Sequence, residues 1–90
     1  MTAPLPLGKV VATPGALKLL SEMGEDPFAY IARHATGDWG NLCAFDRRQN
    51  EIALRDGFRV FSCYEVPAGR VWIITEDDRS VTTILLPEEY

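Results

Sequence analysis

Apolar and polar positions change their period near Gly57, and that change divides the chain into a helical part and a strand part. Before it, apolar residues return every three or four positions; after it they alternate or run together. Thr13 before Pro14 predicts a helix start, a hydroxyl cap ahead of a residue that lacks the N–H the first helical position wastes. Ala16, Leu17, Leu20 and Met23 then form one stripe, and Gly24 closes the helix. The same grammar returns at Asp26-Pro27, with a face of Phe28, Ile31, Ala32 and Ala35 that Gly37 stops. A third helix is expected from about Cys43 to Asp56. Leu42 enters it, Phe45, Ile52 and Ala53 form its buried side, and Arg47, Glu51 and Arg55 form another, solvated side.

Beyond Gly57, Phe58 to Glu65 is rich in aromatic and branched residues, and Pro67-Ala68-Gly69 breaks it. Val71 to Thr75 is the most apolar run and the expected centre of a sheet; Glu76 to Arg79 is the next turn, and Ser80 to Leu86 completes an antiparallel meander. Short connections favour this neighbouring pairing. The expected architecture is a single α+β domain. Three short N-terminal helices pack on a C-terminal three-stranded antiparallel sheet, with a fourth short edge strand near residues 9–12 and a loose start over residues 1–7. Such a sheet does not leave Trp72, Ile74, Ile84 and Leu86 all bare, so a face without helices becomes a surface for a second copy or another protein.

Charge narrows the partners. A formal charge of −4 over 90 residues argues against a general affinity for phosphate backbones. Seven arginines against two lysines nevertheless put Arg47, Arg48, Arg55 and Arg59 close together in sequence, where a nucleic-acid or protein contact would draw on them. The simpler reading is a solvated helix face on which Arg47, Glu51 and Arg55 make ordinary i, i+4 ion pairs. Cys43 and Cys63 have neither metal spacing nor the density of a disulfide framework and read as thiols, Cys63 buried in its strand. Met1 to Pro6 has no basic region or long apolar stretch, and no run approaches a membrane span. The expected setting is cytoplasmic.

Candidate chemistry gathers in His34-Ala35-Thr36-Gly37-Asp38-Trp39-Gly40. An imidazole beside a carboxylate is the smallest unit of acid–base catalysis, so His34 as base with Asp38 orienting it defines an enzymatic alternative. Gly37 interrupts the spacing between them, and no serine or cysteine is tied to the pair as nucleophile. The structural alternative places a partly protonated His34 at a helix C-terminus and has Asp38 accept backbone bonds within its turn. Trp39 either plugs the space between helices and sheet or points outward as a binding anchor. Asn50 is expected to bond to this loop. Glu76, Asp77 and Asp78 have the oxygen ligands for a divalent cation, but a solvated hairpin turn accounts for them as well. No phosphate-cradling glycine loop is present, no cofactor is implied, and Phe61 with Trp72 is a thin basis for an RNA-binding sheet.

Four blocks, GKVVATPGAL from Gly8, RHATGDWG from Arg33, NEIALRDG from Asn50 and WIITEDDRSVTTILLPEEY from Trp72, resemble a family of small bacterial plasmid-related proteins. Some members carry a label linking them to type I restriction systems. The resemblance spans nearly the whole chain and implies an association with mobile elements, without implying catalytic residues. A methyltransferase is excluded by length and by the lack of a cofactor-binding βαβ unit. The resulting expectation is a non-enzymatic interaction or regulatory accessory protein, using Trp39 with the arginines of the third helix or the second face of the sheet.

Overall fold

In the computed structural model, which describes residues 4–90, strand β1 (Lys9–Ala12) comes first. Helices α1 (Pro14–Glu22), α2 (Pro27–Ala35) and α3 (Ala44–Asp56) follow it. Strands β2 (Val60–Val66), β3 (Gly69–Thr75) and β4 (Val81–Leu85) and a one-turn 3-10 helix (Pro87–Glu89) complete the chain. The fold is α+β with one mixed sheet of four strands in the order β1-β4-β3-β2. The expected meander is present and β1 is the expected short edge strand at residues 9–12, but it pairs parallel to β4, which makes the sheet mixed, and the helices follow it in the chain before the other strands. The parallel pair forms because α1 starts directly from β1: the Thr13 N–H donates to the Ile84 carbonyl at 2.9 Å, and the Thr13 hydroxyl accepts from the Ala16 N–H.

Strand register fixes two unlike faces. Val60, Ser62, Tyr64 and Val66 stand opposite Thr75, Ile73, Val71 and Gly69, and Ile73 and Thr75 continue to Ile84 and Thr82. This face meets the helices in a core that joins Ala16, Leu20, Tyr30 and Ile31 to Tyr64, Val71, Ile73 and Ile84. A second cluster joins Leu5, Trp39, Ala53 and Val60. Where the sequence predicts a loose start, Leu5 is buried and its N–H donates to the Ala35 carbonyl at 2.9 Å. Leu5 inserts beside Trp39 because that apolar cluster is otherwise open; residues 1–3 of the expected loose segment lie outside the described part.

Two helices are rotated from the expected faces. Helix α2 buries Tyr30, Ile31 and His34, while Phe28 is 70% exposed. Helix α3 buries Asn50 and Ala53 and leaves Phe45 69% exposed. In both, a polar residue faces inward where it finds hydrogen-bond partners, and a phenylalanine one turn or more away is displaced outward. Among the described residues, no helix is long and apolar enough to cross a membrane.

Candidate functional site

The His34–Gly40 run leaves the end of α2 and passes along the outer edge of β2. His34 is 1% exposed and projects onto the helix-covered face of the sheet. Its Nδ1 lies 2.5 Å from the Ser62 hydroxyl and its Nε2 2.9 Å from that of Thr75. Thr75 and Thr82 hydroxyls are 2.7 Å apart, and Thr82 donates to the Leu7 carbonyl at 2.8 Å. That carbonyl only accepts, which sets the direction of each bond from Leu7 back to Nε2, and a neutral ring then sets the one at Nδ1. Thr82 spends its proton on Leu7, so Thr75 donates to Thr82 and accepts from Nε2–H, and Ser62 donates to Nδ1. With the ring kept neutral by its burial, His34 is the Nε2–H tautomer. Burial alone pushes its pKa down to about 4 from 6.5, because the charged ring would lose its water. The partly protonated helix-end histidine of the sequence reading is thus corrected.

Asp38 turns the other way. Its carboxylate takes the Arg33 Nε–H at 2.6 Å, and this pairing, more than the weaker contact with the Gly40 N–H, holds it below the usual carboxylate range. Both imidazole nitrogens are engaged by hydroxyls and Asp38 by Arg33, so the proposed acid–base pair is not assembled. Arg33 also lies 4.6 Å over the Tyr64 ring. Tyr64 donates its hydroxyl to the Asp38 carbonyl at 2.6 Å, and burial raises its pKa to about 12. The Arg33–Asp38 pair is open to water on both sides. Asp38→Asn is expected to lower stability by less than about 1 kcal/mol, as thermal unfolding would measure.

What the run does is close an open strand edge. Cys63 donates to the Trp39 carbonyl at 3.1 Å and accepts from the Asn41 N–H at 2.7 Å. Asn41 Oδ1 accepts the Glu65 N–H at 3.0 Å. Asn50, instead of reaching the loop as expected, uses both ends of its amide on Phe61, donating to the carbonyl at 2.6 Å and accepting the N–H at 3.0 Å. The outward backbone groups of β2 at Phe61 and Cys63, and the N–H of Glu65, are thereby satisfied. An edge sealed this way does not template pairing with another chain. Trp39, 8% exposed, packs in the second core cluster.

The arginines do not form one patch. Arg47 donates to the Leu42 and Gly40 carbonyls and fixes the loop, rather than pairing with Glu51. Arg48 and Arg55 flank a shallow groove with Glu51 and Ile52, where Arg55 also pairs with Asp56. Arg59 stands elsewhere, bonded to Glu76 at 3.1 Å and to the Tyr90 hydroxyl at 2.9 Å. Glu76 is thus turned away from its neighbours, while Asp77 and Asp78 accept backbone N–H groups of the turn. Among the described residues, no three metal-ligating side chains gather around a common point. Cys43 is exposed and Cys63 buried, both as free thiols.

Ser62, Thr75, Thr82 and Arg79 carry weight that the sequence reading missed. The first three had a signal: each is a hydroxyl at an inward position of a strand that is otherwise apolar on that face. Comparisons with protein-family models, with curated proteins and with solved structures found no match to the chain.

Proposed function

We propose that the protein is a non-enzymatic interaction module that binds protein through the helix-free face of its sheet. The observation that carries this is the makeup of that face. Phe61, Ile74, Thr83 and Val11 lie in one row across the four strands, and Cys63, Trp72 and Leu85 in the next. Among the described residues no α-helix covers them; Phe61, Trp72, Thr83 and Val11 remain half-buried beside buried Ile74 and Leu85. The 3-10 turn at Pro87–Glu89 brings Tyr90 onto the face, where it meets Trp72 at 5.7 Å and is held by Arg59.

The rim chemistry favours a protein over a polyanion. Arg59 is paired with Glu76 and Arg70 with Glu65, which offsets two of the cations around the face and leaves Lys9 at its β1 end. Phe61 and Trp72 stand edge-to-face at 5.0 Å, which uses a ring face that base stacking would need. An apolar patch with a rim of both signs suits a second copy of the chain, since a two-fold axis sets identical patches against each other. The resemblance to plasmid-related proteins fits an accessory role on mobile DNA.

Sedimentation velocity tests this reading. Wild type is expected to associate at concentrations below about 1 mM, and Thr83→Lys, which sets a charge in the middle of the face, to remain a folded monomer. A wild type that stays monomeric throughout that range, or a Thr83→Lys variant that associates equally well, refutes it.

A further inference from the structure

We propose that a cleft on the helix side of the molecule binds a small organic carboxylate with an apolar body, held through Arg79. The cleft has a volume of about 500 Å³, in the range of small-molecule sites. Leu5, Trp39 and Leu54 give it apolar walls, and Thr36, Gly37 and Arg79 its polar edge.

Arg79 is the unusual element. Its Nη1 donates to the carbonyls of Phe58 at 2.6 Å and Glu76 at 3.1 Å, and its Nη2 to that of Ala53 at 2.9 Å. A guanidinium has five N–H groups, so Nε–H and one Nη2–H are left without a partner among the described residues. Its charge is also left without a carboxylate: the four ion pairs there belong to Arg33, Arg55, Arg59 and Arg70. The site is therefore an anchored, half-buried cation with donors to spare at the edge of an apolar cleft.

The turn does not by itself call for an arginine. Arg79 has φ of 61°, the sole positive value outside glycine among the described residues, and a left-handed backbone costs a side-chain-bearing residue about 1–2 kcal/mol. Capping α3 does not require it either, because Gly57 already ends the helix by donating to the same Ala53 carbonyl. One monovalent cation and two remaining donors match one carboxylate, whereas a phosphate dianion would want more of both. The apolar walls select a hydrocarbon or aromatic body on the same ligand.

Titration of ¹⁵N-labelled protein with 3-phenylpropionate, with the neutral 3-phenylpropan-1-ol, and with inorganic phosphate tests the proposal. The acid is expected to shift the Thr36 and Gly37 amides and the Trp39 indole N–H saturably, about tenfold more tightly than the alcohol, with phosphate weaker than either. Arg79→Lys, a point charge without the planar fork, is expected to weaken binding of the acid about tenfold. Leu54→Glu, on an exposed stretch of wall where folding is not at risk, is expected to abolish it. The proposal is overturned by equal binding of acid and alcohol, by tighter binding of phosphate, by no shifts up to about 20 mM acid, or by undiminished binding in folded Leu54→Glu.

Discussion

Gly40→Ala is expected to unfold most of the protein at 37 °C, whereas Gly37→Ala three residues earlier is expected to lower Tm only modestly. Both glycines have positive φ, 74° at Gly40 and 91° at Gly37, so both substitutions pay the left-handed backbone cost of about 1–2 kcal/mol. Their surroundings differ. A methyl group on Gly40 would overlap the Cys63 carbonyl oxygen and approach Tyr64 Cδ1 to 2.6 Å, while one on Gly37 would meet nothing within 4 Å. Cys63 cannot retreat, because both of its outward backbone groups are bonded to this same loop. Relief therefore requires the loop to leave the edge of β2, exposing Phe61–Glu65 and loosening Trp39. A loss of several kcal/mol consumes much of the roughly 5 to 13 kcal/mol available to a chain of this size. In thermal unfolding, Gly37→Ala should fall by about 5–15 °C and Gly40→Ala by well over 20 °C. Equal shifts would mean that the loop does not clasp the strand.

The buried imidazole gives the second large effect. His34→Phe keeps a ring in the space but removes both nitrogens, leaving the buried Ser62 hydroxyl without its acceptor and that of Thr75 without its donor. At about 1–3 kcal/mol for each stranded group, a loss of about 3 kcal/mol is expected from urea unfolding at pH 7. The same ring governs stability in mild acid. Its folded pKa of about 4 lies below the 6.5 of the unfolded chain, so on acidification the unfolded state takes up the proton first. The stabilisation from keeping the ring neutral is complete above pH 6.5 and is lost as pH falls towards 4, at up to about 1.4 kcal/mol per unit. Carboxylates held low by their partners, Asp38 and Glu89 among them, contribute stability that is lost from about pH 5 downward, overlapping the lower end of the His34 window. His34 is the chain's one histidine, so His34→Phe should flatten the profile between pH 6.5 and about 5 and leave the acid limb in place.

Much of the backbone plan was legible in the sequence. Thr13-Pro14 and Asp26-Pro27 start helices, Gly57 ends one, and Pro67-Ala68 turns a hairpin, because each motif acts through the local geometry of a few residues. Helix rotation was not legible. Counting apolar residues turned Phe28 and Phe45 inward, yet His34 and Asn50 take the inward positions, since their partners on β2 and β3 are distant in sequence and a buried polar group is stable only where such partners exist. The same blindness hid the parallel seat of β1 and the packing of Leu5, both set by long-range contacts. For the central run, proximity in sequence offers a His34–Asp38 pair as one alternative; the turn at Gly37 sends the first into the core and the second to Arg33 at the surface. Gly40 lets the run seal a strand edge, while Thr36, Gly37 and Trp39 of the same run line the cleft beside Arg79.

The claim that this run is a closed structural junction is tested most directly by the nitrogen resonances of the His34 ring as a function of pH. The hydrogen-bond chain from Ser62 to the Leu7 carbonyl predicts a hydrogen on Nε2 at pH 7 and no titration down to about pH 5. A ring that titrates near its ordinary value of about 6.5, or that carries its hydrogen on Nδ1, would contradict the account.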